Sequence, residues 1–198
     1  MSLLLPDLGD WKNLNFPTGV EFRYKKYLNR KVQLERVWIY LSKYMPEYLS
    51  NFSLDTVVDF GSGNGGTLEI FRHFGYQTLA VDFYTCPEAN YSPFLDSQGI
   101  TLLQHDCRKF PYPLPDKSSD IVTSISSIDS MSAGKNFGRV INEFARIATH
   151  AIFVVVNKDS HQFKDDGGKE VLDNWRHSTF HRIKADCDNV YKWVSVKD

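Results

Sequence analysis

The residues best able to do chemistry lie between positions 59 and 107. Asp59-Phe60-Gly61-Ser62-Gly63-Asn64-Gly65 sets three glycines at alternate positions directly after an apolar run. Lacking side chains at 61, 63 and 65, the backbone can turn sharply into a helix and approach a ligand closely. Asp82 follows Leu79-Ala80-Val81. A carboxylate at the carboxyl end of a buried strand stands where ligands bind in open α/β sheets, and it can accept from both hydroxyls of a ribose. A third apolar run, Ile100 to Leu103, leads to Asp106 and Cys107. Gly61-x-Gly63-x-x-Gly66 also satisfies the dinucleotide fingerprint, with Asp82 at 21 residues beyond Gly61, so the glycine turn alone fits two cofactor classes.

Groups that could move a proton are scattered. Asp129 comes just after the fourth apolar run, His161 just after the fifth, and Tyr24 and Tyr27 lie in the N-terminal segment. His177 and His181 are four apart and near Cys187, but in an alternating strand they share a face and no second cluster completes a metal set. Asp129, Asn157 and Asp159 are oxygen ligands near one edge, yet no metal is expected. The three cysteines, Cys86, Cys107 and Cys187, form no Cys-x-x-Cys, which points to a reducing compartment.

These residues need a scaffold of alternating strands and helices. Thr56–Phe60, Thr78–Val81, Ile100–Leu103, Asp120–Ile125 and Ala151–Val156 read as strands. Their consecutive apolar residues imply burial on both faces, as in a parallel sheet. Residues 66–74, 136–148 and 168–177 read as helices, and 83–99, broken by Pro87 and Pro93, has room for a short one. Phe180 to Lys184 and Val190 to Val196 alternate across a turn at Asp188-Asn189, giving an antiparallel hairpin. Between Val20 and Tyr44 the apolar residues Val32, Leu34, Val37, Trp38 and Leu41 recur at helical spacing, ending before Pro46. Residues 1–53 are therefore read as an N-terminal helical cap and 54–198 as the core.

Composition narrows the function. The chain has 198 residues, enough for one domain, and a net charge of −1. Residues 1–53 carry eight Lys/Arg against five acids, and residues 54–157 seven against eleven. That balance disfavours, without excluding, a nucleic-acid partner held mainly by phosphate contacts. The stretch Glu21 to Lys31, which interleaves basic and aromatic residues, is the one segment suited to RNA. No run of eighteen apolar residues occurs and no basic leader precedes Leu3-Leu4-Leu5, so a soluble cytoplasmic protein is expected, with no membrane partner.

Asp59 before the glycines, Asp106 after the third strand and the closing hairpin together resemble the class I S-adenosylmethionine-dependent methyltransferases over residues 54–198. The resemblance implies a three-layer α/β sandwich with a mostly parallel seven-stranded sheet whose last strand is antiparallel. It implies S-adenosylmethionine as cofactor, held by Asp59, Gly61, Gly63, Gly65, Asp82, Asp106 and Cys107, with Asp106 accepting from the adenine amine. His105 to Val122, including Phe110-Pro111 and Pro115-Asp116-Lys117-Ser118, is similar to a stretch of the small-molecule methyltransferases related to quinone-biosynthesis C-methyltransferases. It departs at Phe110, at Ser119 and by two extra residues before Pro115. After the fourth strand, Ile125-Ser126-Ser127-Ile128 replaces the Asn/Asp-Pro-Pro-Tyr motif of enzymes that methylate base amines or glutamine amides. Ile125 also stands where metal-dependent catechol-type enzymes carry an aspartate. A small-molecule acceptor is therefore expected, with Asp129, His161 and Tyr24 as catalytic candidates. An RNA or protein methyltransferase, a dinucleotide oxidoreductase, a non-catalytic cofactor-binding protein and a degraded homologue that binds nothing are the alternatives.

Overall fold

In the computed structural model, residues 30–50, 53–83, 91–132 and 136–196 are described. Helix α1 (Arg30–Tyr44) is followed by β1 (Thr56–Phe60), α2 (Gly66–His73), β2 (Gln77–Asp82), α3 (Ser92–Ser97) and β3 (Thr101–Gln104). Then come β4 (Ser119–Ile125), α4 (Ile128–Met131), α5 (Phe137–Ile147), β5 (Ala148–Val155), α6 (His161–Lys164), α7 (Gly168–Asn174), β6 (Phe180–Ile183) and β7 (Val190–Ser195). The strands form one seven-stranded sheet in the order β3-β2-β1-β4-β5-β7-β6. The pairs from β3 through β5 are parallel, and β7 runs antiparallel to both its neighbours. This is the Rossmann-like mixed sheet that the resemblance implied.

Alternation along each strand sends side chains to opposite faces, and both faces are covered. Val57, Ala80, Ile121, Ala151 and Phe153 pack with Leu34, Trp38 and Leu41 of α1 and Leu68 and Phe71 of α2. Val58, Phe60, Val81, Val122 and Ile152 pack with Val140, Ile141 and Phe144 of α5 and Leu172 of α7. Double burial is why the strands read as unbroken apolar runs. Leu34 and Leu41 of α1 are fully buried, and Trp38 stacks on Phe74 at 6.2 Å. From Arg30 onward, then, the N-terminal segment forms part of one layer of the sandwich. Tyr24, Tyr27 and the side chains of the basic stretch lie outside the described residues.

Three local readings change. β5 begins at Ala148 rather than Ala151, because Thr149 is accommodated at the sheet's polar end, where its hydroxyl donates to Asp120 Oδ1 at 3.0 Å. α4 and α6 are single turns, too short to produce a helical period in the sequence. His177 precedes β6 and stacks on Trp175 at 5.4 Å, so it does not share a strand face with His181.

The segment between β3 and β4 has little regular structure and is held from below by Arg146 and Glu143 of α5. The Arg146 guanidinium donates to Leu114 O at 2.7 Å, Tyr112 O at 3.0 Å, Asp116 Oδ1 at 2.8 Å and both carboxylate oxygens of Glu143. Glu143 in turn accepts the Tyr112 N–H at 2.7 Å. Arg146→Ala should cost about 2 kcal/mol in chemical denaturation, since it strands two carbonyls and a partly buried carboxylate. Arg146→Lys should recover only a minor part, because an ammonium cannot reproduce the fork.

Candidate functional site

The site forms where the sheet's connections diverge. β1 pairs with β2 on one side and β4 on the other, so Asp59 lies opposite both Ala80 and Thr123. The chain leaves β1 at the crevice where ligands settle in such sheets. The Gly61 N–H donates to Val81 O at 2.8 Å and the Gly65 N–H to Ser62 O at 2.9 Å, which closes a tight turn. Gly61 has φ +67° and Gly63 φ +52°, a left-handed backbone that side chains disfavour. A Cβ on Gly61 would sit 2.4 Å from Ser127 Cβ. One on Gly63 would meet nothing within 4 Å, so this peptide faces open space.

Asp82 ties the turn to the end of β2. Its Oδ2 accepts the Gly63 N–H at 2.7 Å and its Oδ1 the Phe83 N–H at 2.7 Å. Burial raises its carboxyl above the ordinary range, with the two N–H donors working against the rise. Each oxygen keeps a second lone pair for a ligand hydroxyl.

After β3, Asp106 faces the same crevice and is gripped by Arg108. The guanidinium Nε donates to Oδ1 at 2.8 Å and Nη2 to Oδ2 at 3.0 Å, and the Arg108 N–H also reaches Oδ1 at 3.1 Å. These bonds hold the Asp106 carboxyl below its usual range. Cys107 lies underneath, buried, and its thiol donates to His105 O at 3.6 Å. Burial pushes that thiol up to about 12, so it is neutral and no nucleophile.

The third wall comes from the loop after β4. Ser126 adopts φ +59° and its N–H donates to Val155 O at 2.6 Å. The Ser127 hydroxyl donates to Phe60 O at 2.9 Å and pairs with the Ser124 hydroxyl at 2.9 Å. Between these walls lies a cavity of about 330 Å³, within the usual range for small-molecule sites. Gly61, Asp82 and Phe83 line one side, Asp106, Cys107 and Arg108 another, and Ser126, Ser127, Ser130 and Met131 the third.

Residues 58–154 match the family described as Methyltransferase domain. Over that stretch, just under half of its length, the chain is similar to methyltransferase domains. The cofactor that this likeness implies is S-adenosylmethionine. Among solved structures, the chain is similar to one in the Haloferax volcanii complex between the Trm112 methyltransferase activator and a methyltransferase. Identity there is 19% and the TM-score 0.58, with 91% of this chain and 99% of that chain covered. It is also similar to an S-adenosyl-L-methionine-dependent methyltransferase from Methanococcus maripaludis, at 18% identity and a TM-score of 0.52, covering 85% and 94% of the two chains. One from Aquifex aeolicus shares 17% identity at a TM-score of 0.53, covering 78% and 87%. At such identities the likeness is one of fold. No curated protein sequence matches the chain.

The residues present fit the cofactor. Gly63 offers open space beside the turn, and Ser62 Oγ is buried with no hydrogen-bond partner among the described residues. Asp82 keeps acceptor capacity toward the cavity. Asp59, Gly63 and Gly65 do not line the cavity. A Cβ on Gly65 would lie 2.5 Å from Leu95 Cδ2. Asp59 is 2% exposed, beneath the turn. Its Oδ1 accepts the Thr123 hydroxyl at 2.7 Å, and burial pushes its carboxyl up to about 7. Thr123 and Arg108 had no sequence signal of their own beyond following, at strand register or at a two-residue spacing, the aspartates they serve.

Asp129 and His161 are not on the cavity wall. Asp129 is 7% exposed on α4, and burial raises its carboxyl, opposed by a hydrogen bond from Ser160. His161 is exposed at the start of α6 and paired with Asp165 at 2.6 Å, which raises its pKa. Tyr24 lies outside the described residues. No group of three or more His, Cys, Asp or Glu suited to a metal occurs among the described residues, and no helix there is long and apolar enough to cross a membrane.

Asp82→Ala should weaken binding of S-adenosylhomocysteine by roughly tenfold to hundredfold in calorimetry, because it removes two ligand acceptors and frees the Gly63 N–H. Asp82→Asn should lose less.

Proposed function

We propose that the methyltransferase acts on a small-molecule acceptor, with Asp82 holding the ribose hydroxyls of S-adenosylmethionine and Asp106 its adenine amine. The observation that carries this is the wall after β4. It is short, built from Ser126, Ser127, Ser130 and Met131, and without the Asn/Asp-Pro-Pro-Tyr sequence used for base amines and glutamine amides. Arg108 is the one cation lining the cavity among the described residues, and its guanidinium is engaged by Asp106. A polynucleotide would need several free cations beside the site.

When bound, the cofactor supplies a sulfonium methyl group for in-line displacement, where positioning of the acceptor supplies much of the rate. This chain's part is to hold the two reactants. Gly61 and Gly63 leave room at the turn, and Asp59 keeps β1 and β4 in step from below through Thr123. Ser126, Ser127 and Ser130 offer hydroxyls and N–H groups to a polar acceptor. Of the proton-acceptor candidates, Asp129 is favoured. It adjoins Ser130 on the wall, and its Oδ1 is buried with no partner among the described residues, whereas the His161 imidazole is engaged by Asp165.

The test is methyl transfer from labelled S-adenosylmethionine to separate low-mass, RNA and protein fractions of a cell extract. Label in the low-mass fraction is expected. Label confined to RNA or protein would overturn the small-molecule reading and favour a role for the basic N-terminal stretch.

A further inference from the structure

Arg108 has no part in the cofactor contacts read above, yet it is tied closely to Asp106 at the cavity wall. Three of its N–H groups converge on Asp106. Oδ1 receives two of them, from the backbone N–H and Nε, and so has both lone pairs filled. Oδ2 receives one, from Nη2, and keeps a single lone pair among the described contacts. The guanidinium itself is on the outside: the Arg108 side chain is 53% exposed and that of Asp106 only 11%. From the inside, the Tyr112 hydroxyl donates to Cys107 O at 3.0 Å and the Lys109 N–H to Asp106 O at 2.8 Å, which fixes the backbone on both sides of the aspartate. These contacts oppose rotation of the carboxylate toward solvent and exchange of its two oxygens.

We infer that Arg108 is a positioning residue that locks Asp106 with one oxygen lone pair directed at the purine, so that the site admits a 6-amino purine and rejects a 6-oxo purine. The inference rests on the reading of Asp106 as the adenine acceptor. An amino group at that position donates to the open lone pair of Oδ2. A keto oxygen there would face a carboxylate that has only acceptors to offer and is held in place by the Arg108 fork, and unmatched polar contacts of this kind discriminate far more strongly than size does. The Arg108 guanidinium also keeps Asp106 ionised, and so unable to donate a proton to a keto oxygen.

The experiment is calorimetry with S-adenosylhomocysteine and S-inosylhomocysteine on the whole chain. The proteins are the wild type, Arg108→Ala, Arg108→Lys and Asp106→Ala, each checked for an unchanged melting temperature. The wild type should prefer the adenosyl ligand by about tenfold to hundredfold. Arg108→Ala should reduce that preference to about threefold or less, because the freed carboxylate can swing aside. Arg108→Lys, which keeps the charge and loses the fork, should not restore it. If Arg108→Ala weakens or strengthens both ligands by one factor and leaves their ratio unchanged, the inference is overturned: Arg108 would then only support the loop or compete with the ligand. Full rescue by Arg108→Lys would overturn the lock as well, since charge alone would suffice. Asp106→Ala separates the two levels. If it leaves the ratio intact, the adenine reading of Asp106 has failed; if it abolishes the ratio while Arg108→Ala does not, only the role of Arg108 has failed.

Discussion

Gly61→Ala is expected to lower affinity for S-adenosylhomocysteine more than a hundredfold and to destabilise the fold by about 3 kcal/mol. Two costs add. The backbone at Gly61 is left-handed, at φ +67°, which costs an alanine about 1–2 kcal/mol. The new Cβ would also lie 2.4 Å from Ser127 Cβ and 2.6 Å from its Oγ. A Cβ cannot rotate out of the way, and the Ser127 hydroxyl is tied to Phe60 O and Ser124. Either the glycine turn or the loop after β4 must therefore move. Both line the cavity, so strain at this contact becomes loss of binding. Gly63→Ala is the control, since it carries backbone strain at φ +52° but meets no protein atom within 4 Å. Its stability loss should be the smaller of the two, at about 1 kcal/mol. Urea denaturation and calorimetry on both variants check this. Near-normal binding by Gly61→Ala would mean that the two walls can separate without consequence for the site.

Asp59→Asn is expected to stabilise the protein at high pH and to leave it nearly unchanged at low pH. The carboxyl of Asp59 is pushed up to about 7, first by burial, against the hydrogen bonds from Thr123 and Thr67. The sign follows from proton binding. Between the unfolded value near 3.8 and the folded value, the native state holds the proton more tightly than the unfolded chain, so stability falls as pH rises through that window. From about pH 5 to pH 9 this one group should cost the wild type about 3 kcal/mol. Asparagine resembles the protonated acid: its oxygen can accept from Thr123, and its amide can donate where the acid's O–H would. The difference in unfolding free energy, variant minus wild type, should therefore grow with pH by about that amount. A difference independent of pH would mean that Asp59 is ionised in the native state throughout. Because Asp59 sits under the turn and off the cavity wall, cofactor affinity should change much less than stability.

The strands were legible because burial on both faces leaves runs such as Thr56-Val57-Val58 and Ile121-Val122 with little polar interruption, and β1 begins and ends where the pattern placed it. The hairpin was legible from its alternation. α4 and α6 were not, since a single turn has no period, and the start of β5 was obscured by Thr149 and His150, whose polarity is met by Asp120. For the site, residue type and spacing singled out the glycines, Asp82, Asp106 and Cys107, and the structure gathers Gly61, Asp82, Asp106 and Cys107 around one cavity.

Local pattern thus determined which segments are strands and which residues end them, because hydrophobic periodicity and glycine conformation act over a few residues. What those ends do to one another depends on contacts between residues far apart in the chain, and only the tertiary structure decided that. Register set Asp59 against Thr123 and buried it beneath the turn instead of on the wall. Close packing placed Ser127 against Gly61. The path of the segment after β3, held by Arg146 from below, left Asp106 in the grip of Arg108.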